Sequence, residues 1–563
     1  METIEASWPW LKAYPPGIDW RARFPEQPLY QFLEDSVARF GDRPCLDFLG
    51  RSYSYAEIGR LVRRAAKGFA ALGVRRGVRV GLMLPNTPYY VIAYYAVLEA
   101  GGIVVNFNPL YAPPEIRRFV EDAEVAIMVT LDLKQLYAPL APLLGEAGLR
   151  KIVLCAMADV LPFGKAALYR LLRRRDTMQV PRDGAHIGFG ELVANDGVFT
   201  PAAVEPTRDL AVLQYTGGTT GAPKAAMLTH QNLTANTLQC LRWFPGMEPG
   251  RERALAVLPF FHVFAMTVAM NLSIASGAEI VLLPRFEIKS LLAAIRRKRP
   301  TTMPGVPTLF TAVCAQAAAR HVDLTSIKSC ISGGAPLPLE VKSKFEAATR
   351  CTLVEGYGLS ETSPVVACNP LHGVNKSGSV GLPLPDTIVE IVSLDDPSRL
   401  AAPGERGEVT VRGPQVMAGY WRKPEATVAV FSGGRLRTGD VGYVDADGYL
   451  FLVDRIKDII IAGGYKIYPR NIEEAIYQHP KVAECIVLGV ADAYRGQTVK
   501  AYVACVPGAV LDDKELLAFL KGKLSPMEMP KIIEFRATLP KTLIGKPSKN
   551  ALLEEEARRQ AGG

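Results

Sequence analysis

Glycine, hydroxyl and ammonium groups crowd one stretch of the chain, Tyr215-Thr216-Gly217-Gly218-Thr219-Thr220-Gly221-Ala222-Pro223-Lys224. Gly217, Gly218 and Gly221 let a backbone turn tightly and bring N–H groups close to an anion. Thr216, Thr219 and Thr220 add hydroxyl donors, and Lys224 adds a point charge. That chemistry suits a polyphosphate. The apolar run Leu210-Ala211-Val212-Leu213 predicts a strand before the loop, and Leu228 to Leu241 predicts a helix after it, the usual setting of a phosphate site. The loop is not of the Walker type, because Ala222 and Pro223 separate Gly221 from Lys224 and Ala225 follows the lysine. A surface turn rich in glycine and threonine is the plainer alternative, and the density of polar groups weighs against it.

Five further stretches carry chemistry. Ser332-Gly333-Gly334-Ala335-Pro336-Leu337 follows an apolar run, and its glycines allow a flat ligand to approach the backbone. In Glu355-Gly356-Tyr357-Gly358-Leu359-Ser360-Glu361-Thr362, Tyr357 can stack on a base and Ser360 can donate to phosphate. Glu361 suits Mg²⁺, which takes one or two carboxylates alongside phosphate and water. Arg437-Thr438-Gly439-Asp440 ends a predicted strand with a carboxylate able to accept from ribose hydroxyls. Asp454-Arg455-Ile456-Lys457-Asp458, followed by Ala462-Gly463-Gly464-Tyr465, places charges and a glycine pair where the chain pattern changes, which suits a hinge. Leu539-Pro540-Lys541-Thr542-Leu543-Ile544-Gly545-Lys546 puts a lysine on a glycine-led loop near the C-terminus. Each stretch alone also reads as an ordinary polar turn.

The elements that must position these groups alternate. Helical apolar spacing from Tyr55 to Leu72, with Gly73 as a C-cap, is followed by a strand at Val78–Leu84, a helix at Thr87–Ala100 and a strand at Ile103–Asn106. A helix at Pro113–Asp122 and a strand at Val125–Thr130 come next. Beyond the glycine loop, strands are predicted at Leu255–Leu258, Ala278–Leu283, Thr301–Met303 and Lys328–Ser332, with helices at Phe286–Arg297 and Pro307–Ala319. This is an α/β pattern of crossover units on mostly parallel sheets. After about residue 380 short turn-bounded strands predict a β-rich part. From 456 a small α+β block follows, so residues 1–455 and 456–563 are the expected domains. Residues 1–50, with Trp8, Trp10 and Trp20, predict a surface arm and then a helix near Leu29–Phe40.

A chain of 563 residues is too long for one core, and 49% hydrophobic against 21% charged residues is a globular balance. The net charge of +9 is moderate. It fits anionic substrates or lipid, and nothing in its distribution calls for a nucleic-acid partner. The nine cysteines form no CxxC pair and no zinc spacing, so buried free thiols in a reducing compartment are expected. No secretory signal is read at the start. The apolar segment Tyr89 to Val105 is interrupted by Glu99 and Gly101-Gly102 and reads as a buried helix and strand, not a span. Residues 161–175 carry an apolar helical stripe that ends in Arg173-Arg174-Arg175. Such a segment can lie in a membrane interface or pack on the domain with its arginines in solvent.

In their order across residues 215–546 these motifs resemble those of the adenylate-forming superfamily of acyl-CoA synthetases, peptide-synthetase adenylation domains and beetle luciferases. Pro259-Phe260-Phe261-His262 is similar to the Pro-x-Phe-His segment of acyl- and aryl-CoA synthetases, and within the superfamily the chain looks like a bacterial fatty-acid:CoA ligase. The resemblance implies ATP and CoA as co-substrates, Mg²⁺, and formation of acyl-AMP before transfer to CoA. It implies that Thr216 through Lys224 hold the β- and γ-phosphates, and that Gly334, Ala335 and Pro336 line the adenine site with Tyr357 and Gly358. Ser360 and Glu361 would serve phosphate and Mg²⁺, and Asp440 and Arg455 the ribose. His262 would stand at the carboxylate end of the acyl pocket. Lys546 would bridge carboxylate and α-phosphate, Lys457 would be the hinge, and Gly463 with Gly464 would border the CoA tunnel. A cytoplasmic enzyme, peripheral at the inner membrane face through 161–175 and compatible with a homodimer, follows from the same reading. Two features depart from the family. Pro547-Ser548-Lys549 replaces the usual aliphatic residue and arginine after the lysine, and Met266 with small neighbours stands where some long-chain members carry an aromatic gate. The alternatives are a pimelate-type dicarboxylate:CoA ligase, an acyl-AMP ligase loading a carrier protein, and a non-catalytic binder. The joint presence of Lys224, Glu361, Asp440 and Lys546 argues against the last.

Overall fold

Short apolar strands separated by helices assemble a sheet of seven in the computed structural model, which describes residues 8–216, 223–463, 465–492, 494–541 and 548–561. The strand order is His186–Gly188, Lys151–Cys155, Ile127–Leu131, Arg79–Met83, Ile103–Asn106, Leu210–Thr216, Lys224–Thr229. All neighbours are parallel except the last pair, which is antiparallel. Parallel strands buried on both faces need continuous apolar runs, and Ile127–Leu131 is buried at every position. The helix Pro88–Glu99 is buried along its entire length, as a helix apolar on all sides must be, and it packs against Tyr55–Ala71. Ser54 opens the latter helix with a capping box: its side chain accepts from the Glu57 N–H at 3.1 Å, and Glu57 accepts from the Ser54 N–H at 2.7 Å.

A second sheet runs Arg253–Ala256, Glu279–Leu282, Pro44–Phe48, Arg51–Ser54. Pro44–Phe48 lies parallel to Glu279–Leu282, with Leu46 opposite Ile280. Within residues 1–50 the helix expected near Leu29–Phe40 forms as Gln31–Phe40, the segment before it buries Trp10 and Trp20 at 1% and 6% exposure, and the segment after it adds the strand Pro44–Phe48, which the sequence reading did not expect. The predicted strand Thr301–Met303 shrinks to single bridges at Thr302, which touches Ala254 on one side and Ser329 on the other. Through Ser329, the parallel pair Ser329–Ser332 and Thr352–Gly358 continues the arrangement, with Ser332 opposite Glu355.

Two compact units are distinguished by their internal contacts. One comprises Ala13–Ile388 and Arg412–Gly434, and the other Met1–Lys12, Val389–Val411 and Arg435–Gly563. Within the second, Gly407–Arg412, Arg435–Val444 and Leu450–Arg455 form an antiparallel meander. Val482–Asp492 and Gly496–Cys505 form a long antiparallel pair, joined by Ile460–Ala462 and by Ile532–Phe535. The core of that sheet includes Ile472, Ile476, Val487, Val503, Leu516 and Leu520. The expected division at 455/456 falls within the second of these units. All nine cysteines are free thiols. Among the described residues no helix is long and apolar enough to cross a membrane.

Candidate active site

The glycine-rich stretch joins two strands. Leu210–Thr216 pairs antiparallel with Lys224–Thr229, with Thr216 opposite Lys224, and the Thr216 hydroxyl donates to the Lys224 carbonyl at 3.2 Å. Gly217, Gly218, Thr219, Thr220 and Gly221 lie outside the described residues. The helix predicted over Leu228–Leu241 forms as His230–Trp243, opened by a Thr229 cap that accepts from the Asn232 N–H at 3.1 Å, and a strand the sequence reading did not expect, Lys224–Thr229, precedes it. The strand prevails because it is paired on both sides. Opposite Leu210–Thr216 it meets the segment around Tyr420, through Met227 N–H to Gly419 O at 2.8 Å and Trp421 N–H to Ala225 O at 2.9 Å. The stretch therefore leads into a strand instead of a helix N-terminus.

Lys224 and Glu361 meet at a residue the sequence reading missed. The Lys224 Nζ stands 5.1 Å from the centre of the Tyr420 ring, and the Tyr420 hydroxyl donates to Glu361 Oε1 at 2.8 Å. Glu361 belongs to the short turn Ser360–Thr362 that follows the strand Thr352–Gly358, and its carbonyl accepts from the Met417 N–H at 2.8 Å. Tyr420 is 8% exposed. Burial, and then the neighbouring Glu361 carboxylate, push its hydroxyl well above the ordinary phenol range, so it stays a donor. The Gly-Tyr-Trp run at 419–421 was the available signal: aromatic residues after a glycine between charged stretches.

Gly334, Ala335 and Pro336 follow Ser329–Ser332, and Tyr357 and Gly358 end its parallel neighbour. Both groups therefore stand at carboxyl ends of adjacent parallel strands, where α/β sheets bind ligands. Gly334 has φ +79°, a conformation that glycine adopts readily. The Leu337 N–H donates to Glu355 Oε1 at 3.2 Å, closing this loop on the next strand. A side chain at Gly358 would meet the Pro364 carbonyl at 2.0 Å, so that position is closed to any other residue.

His262 is half-buried and accepts at Nδ1 from the Phe264 N–H at 3.3 Å. Its neighbour Phe261 offers its carbonyl to the Gln214 amide at 3.0 Å, and Asn106 donates to Gln214 at 2.9 Å. The histidine segment is thus tied to the strand that leads into the glycine loop. It runs into a buried π-helix, Ala265–Asn271, a rare widened turn that recurs at functional sites. A Cβ on Gly333 would lie 3.1 Å from the Phe264 ring, which brings this segment beside the Gly333-Gly334 loop.

In the other unit Asp440 and Arg455 are cross-strand partners, with the Arg455 Nε 2.8 Å from Asp440 Oδ1. The aspartate is buried and the arginine exposed. Lys457 lies on the short turn Ile456–Asp458. Gly463 is exposed, with φ +59°, and its N–H donates to the Arg495 carbonyl at 2.8 Å. Gly464 and Lys546 lie outside the described residues. On the C-terminal side of Lys546, the Ser548 N–H donates to the Pro540 carbonyl at 2.8 Å. Lys549 approaches Glu473 at 3.3 Å and Asp458 at 4.0 Å. The departure at Pro547-Ser548-Lys549 therefore keeps a cation that grips the turn holding Lys457.

The family of AMP-binding enzymes matches residues 33–421, and the C-terminal domain of AMP-binding enzymes matches residues 471–546. A protein of Bacillus subtilis named long-chain-fatty-acid–CoA ligase is 45% identical, over 98% of this chain and 99% of its own. The protein of that name in Escherichia coli O157:H7 is 35% identical, over 98% of each chain. Among solved structures, the ATP-bound MatB of Rhodopseudomonas palustris is 28% identical with a TM-score of 0.81, covering 94% of this chain and 99% of its own.

Proposed function

The chain belongs to the family of AMP-binding enzymes, and from that premise we propose that it is an ATP-dependent fatty-acid:CoA ligase acting on medium- or long-chain acids through acyl-AMP. The observation that carries this reading is the meeting of Lys224 and Glu361 at Tyr420, beside the histidine segment and at the carboxyl ends of parallel strands. The 45% identity to the Bacillus long-chain ligase supports the acyl class.

The chemistry explains the parts. A carboxylate resists attack by a thiol until one oxygen becomes a leaving group. Attack of that oxygen on the α-phosphorus of ATP forms an acyl–phosphate bond and expels pyrophosphate. The thiol of CoA then adds to the acyl carbon and AMP departs. In the first step Lys224, Thr216 and the glycine segment bind the outgoing phosphates, and Lys546 meets charge that builds at the α-phosphate. Gly334 to Pro336 and Tyr357 hold the base, Asp440 and Arg455 the ribose, and His262 the acyl carboxylate end. Glu361 offers hard oxygen donors, a set that fits Mg²⁺ with phosphate and water completing its shell; when bound, that ion neutralises polyphosphate charge. Rotation about Lys457 exchanges Lys546 for Gly463 between the steps.

The test is CoA- and ATP-dependent AMP release over acetate, benzoate, hexanoate through stearate, and adipate through dodecanedioate. A maximum among the longer monoacids is expected. A maximum among diacids, or transfer only to a holo-carrier protein, overturns the assignment.

The same reading includes a lipid contact. In the helix Phe163–Leu172, Phe163 and Leu171 are 92% and 76% exposed. Arg174 and Arg175 follow and make no ion pair among the described residues. Exposed apolar side chains beside unpaired cations suit an anionic bilayer, and in this reading the enzyme works peripherally at the inner membrane face, where its substrate partitions. Phe163→Ser with Leu171→Ser is expected to weaken binding to phosphatidylglycerol vesicles by about tenfold or more, with hexanoate turnover unchanged. Vesicle binding that is absent in wild type, or indifferent to salt, would remove the contact.

A further inference from the structure

Three segments far apart in the chain converge on the Tyr420 side chain. The strand Lys224–Thr229 brings an ammonium, the turn Ser360–Thr362 a carboxylate, and the segment Met417–Trp421 the ring between them. The ammonium lies 5.1 Å from the ring centre and the carboxylate accepts from the hydroxyl at 2.8 Å. Among the described residues Lys224 and Glu361 form no ion pair with each other or with another residue; the contacts of their charged groups are those to Tyr420. Opposite charges this near a common neighbour would ordinarily pair. A lysine–glutamate pair here would neutralise the charge meant for phosphate and the one meant for the cation.

We propose that Tyr420 is a positioning residue that holds Lys224 and Glu361 apart and aims the glutamate at the divalent cation of Mg·ATP. The ring gives the ammonium a cation–π seat in place of the carboxylate. The hydroxyl makes a charge-assisted hydrogen bond to Oε1, which fixes the carboxylate plane and leaves Oε2 without a hydrogen bond among the described residues. Tyr420 is itself held firmly. Its N–H donates to the Thr427 hydroxyl at 2.9 Å, and it bridges Ala226 on the return strand. Gly419, at φ +140°, turns the segment in a conformation that a side-chain-bearing residue rarely adopts. This inference rests on the assignment of Mg·ATP to the site.

The experiment compares wild type with Tyr420→Phe and Tyr420→Ala. Calorimetry would measure binding of a non-hydrolysable ATP analogue with Mg²⁺, and electron paramagnetic resonance would follow Mn²⁺ in its place. Losing the hydroxyl is expected to weaken cation-dependent nucleotide binding, and to raise the KM for ATP, by about tenfold, and losing the ring as well by about a hundredfold. Acyl transfer to CoA from supplied acyl-AMP stays at the wild-type rate. In a Glu361→Gln background Tyr420→Phe is expected to add nothing, because it acts through the carboxylate. Binding within about twofold of wild type in both variants would overturn the proposal, as would equal loss of acyl transfer. If circular dichroism shows that the alanine variant does not fold, the phenylalanine variant decides. A wild-type protein that binds Mg²⁺ and nucleotide but makes no acyl-CoA would instead defeat the ligase assignment.

Discussion

Alanine at position 546 is expected to lower acyl-AMP formation by about a thousandfold, measured as acid-dependent exchange of pyrophosphate into ATP. Transfer to CoA from supplied acyl-AMP is expected to continue at nearly the wild-type rate. The asymmetry follows from where charge develops. When the carboxylate attacks the α-phosphorus, two anionic groups approach each other and negative charge concentrates on the phosphoryl oxygens, so a fixed ammonium stabilises the transition state more than the ground state. The thiol step releases AMP and carries no such build-up at phosphorus. Lys546→Arg keeps the charge but replaces a compact ammonium with a planar fork, and is expected to fall between. Equal loss in both half-reactions would remove the assigned role. The family's C-terminal domain matches as far as residue 546. Beside the lysine's segment, Lys541 pairs with Glu484 at 2.5 Å and Lys549 with Glu473 at 3.3 Å.

Where a local signal and the tertiary environment agree, the sequence was enough. Pro113–Asp122 and Pro307–Ala319 have the expected bounds because each begins with proline at the first turn. Ile103–Asn106 was legible as an apolar run bounded by turns. Pro44–Phe48 was not, because a five-residue run ahead of a helix says nothing of a partner near residue 280. The strand Lys224–Thr229, ahead of the helix that does form as His230–Trp243, was missed for a related reason. Lys224-Ala225-Ala226-Met227-Leu228 has helical composition, but its N–H and C=O groups are claimed by strands on both sides, and tertiary pairing overrides intrinsic preference. The site divides in the same way. Lys224, Glu361 and Asp440 were legible as residue types on polar loops. Tyr420 was not, because its hydrogen-bond partner lies 59 residues away and an aromatic residue has many bland uses.

Gly463→Leu is expected to spare adenylation and to cut transfer to CoA by about a hundredfold, a loss of roughly 2.7 kcal/mol in transition-state stabilisation. The prediction depends on two properties of the glycine. Among the described residues a Cβ built there meets nothing within 4 Å, so a larger side chain displaces none of them. Its φ of +59° lies in the left-handed region, where a side chain costs about 1–2 kcal/mol, too little by itself to unfold the sheet that Ile460–Ala462 and Tyr465–Ile467 extend. Strain and bulk separate experimentally. Gly463→Ala carries the same backbone strain with little added volume, so it should transfer acyl groups to CoA at near the wild-type rate. Hydroxylamine, a small nucleophile that needs no tunnel, should still capture acyl-AMP made by the leucine variant. Equal defects in the alanine and leucine variants would assign the effect to the backbone. Unimpaired CoA transfer in the leucine variant would take Gly463 out of the pantetheine path and leave the exchange of Lys546 for this loop without its second half.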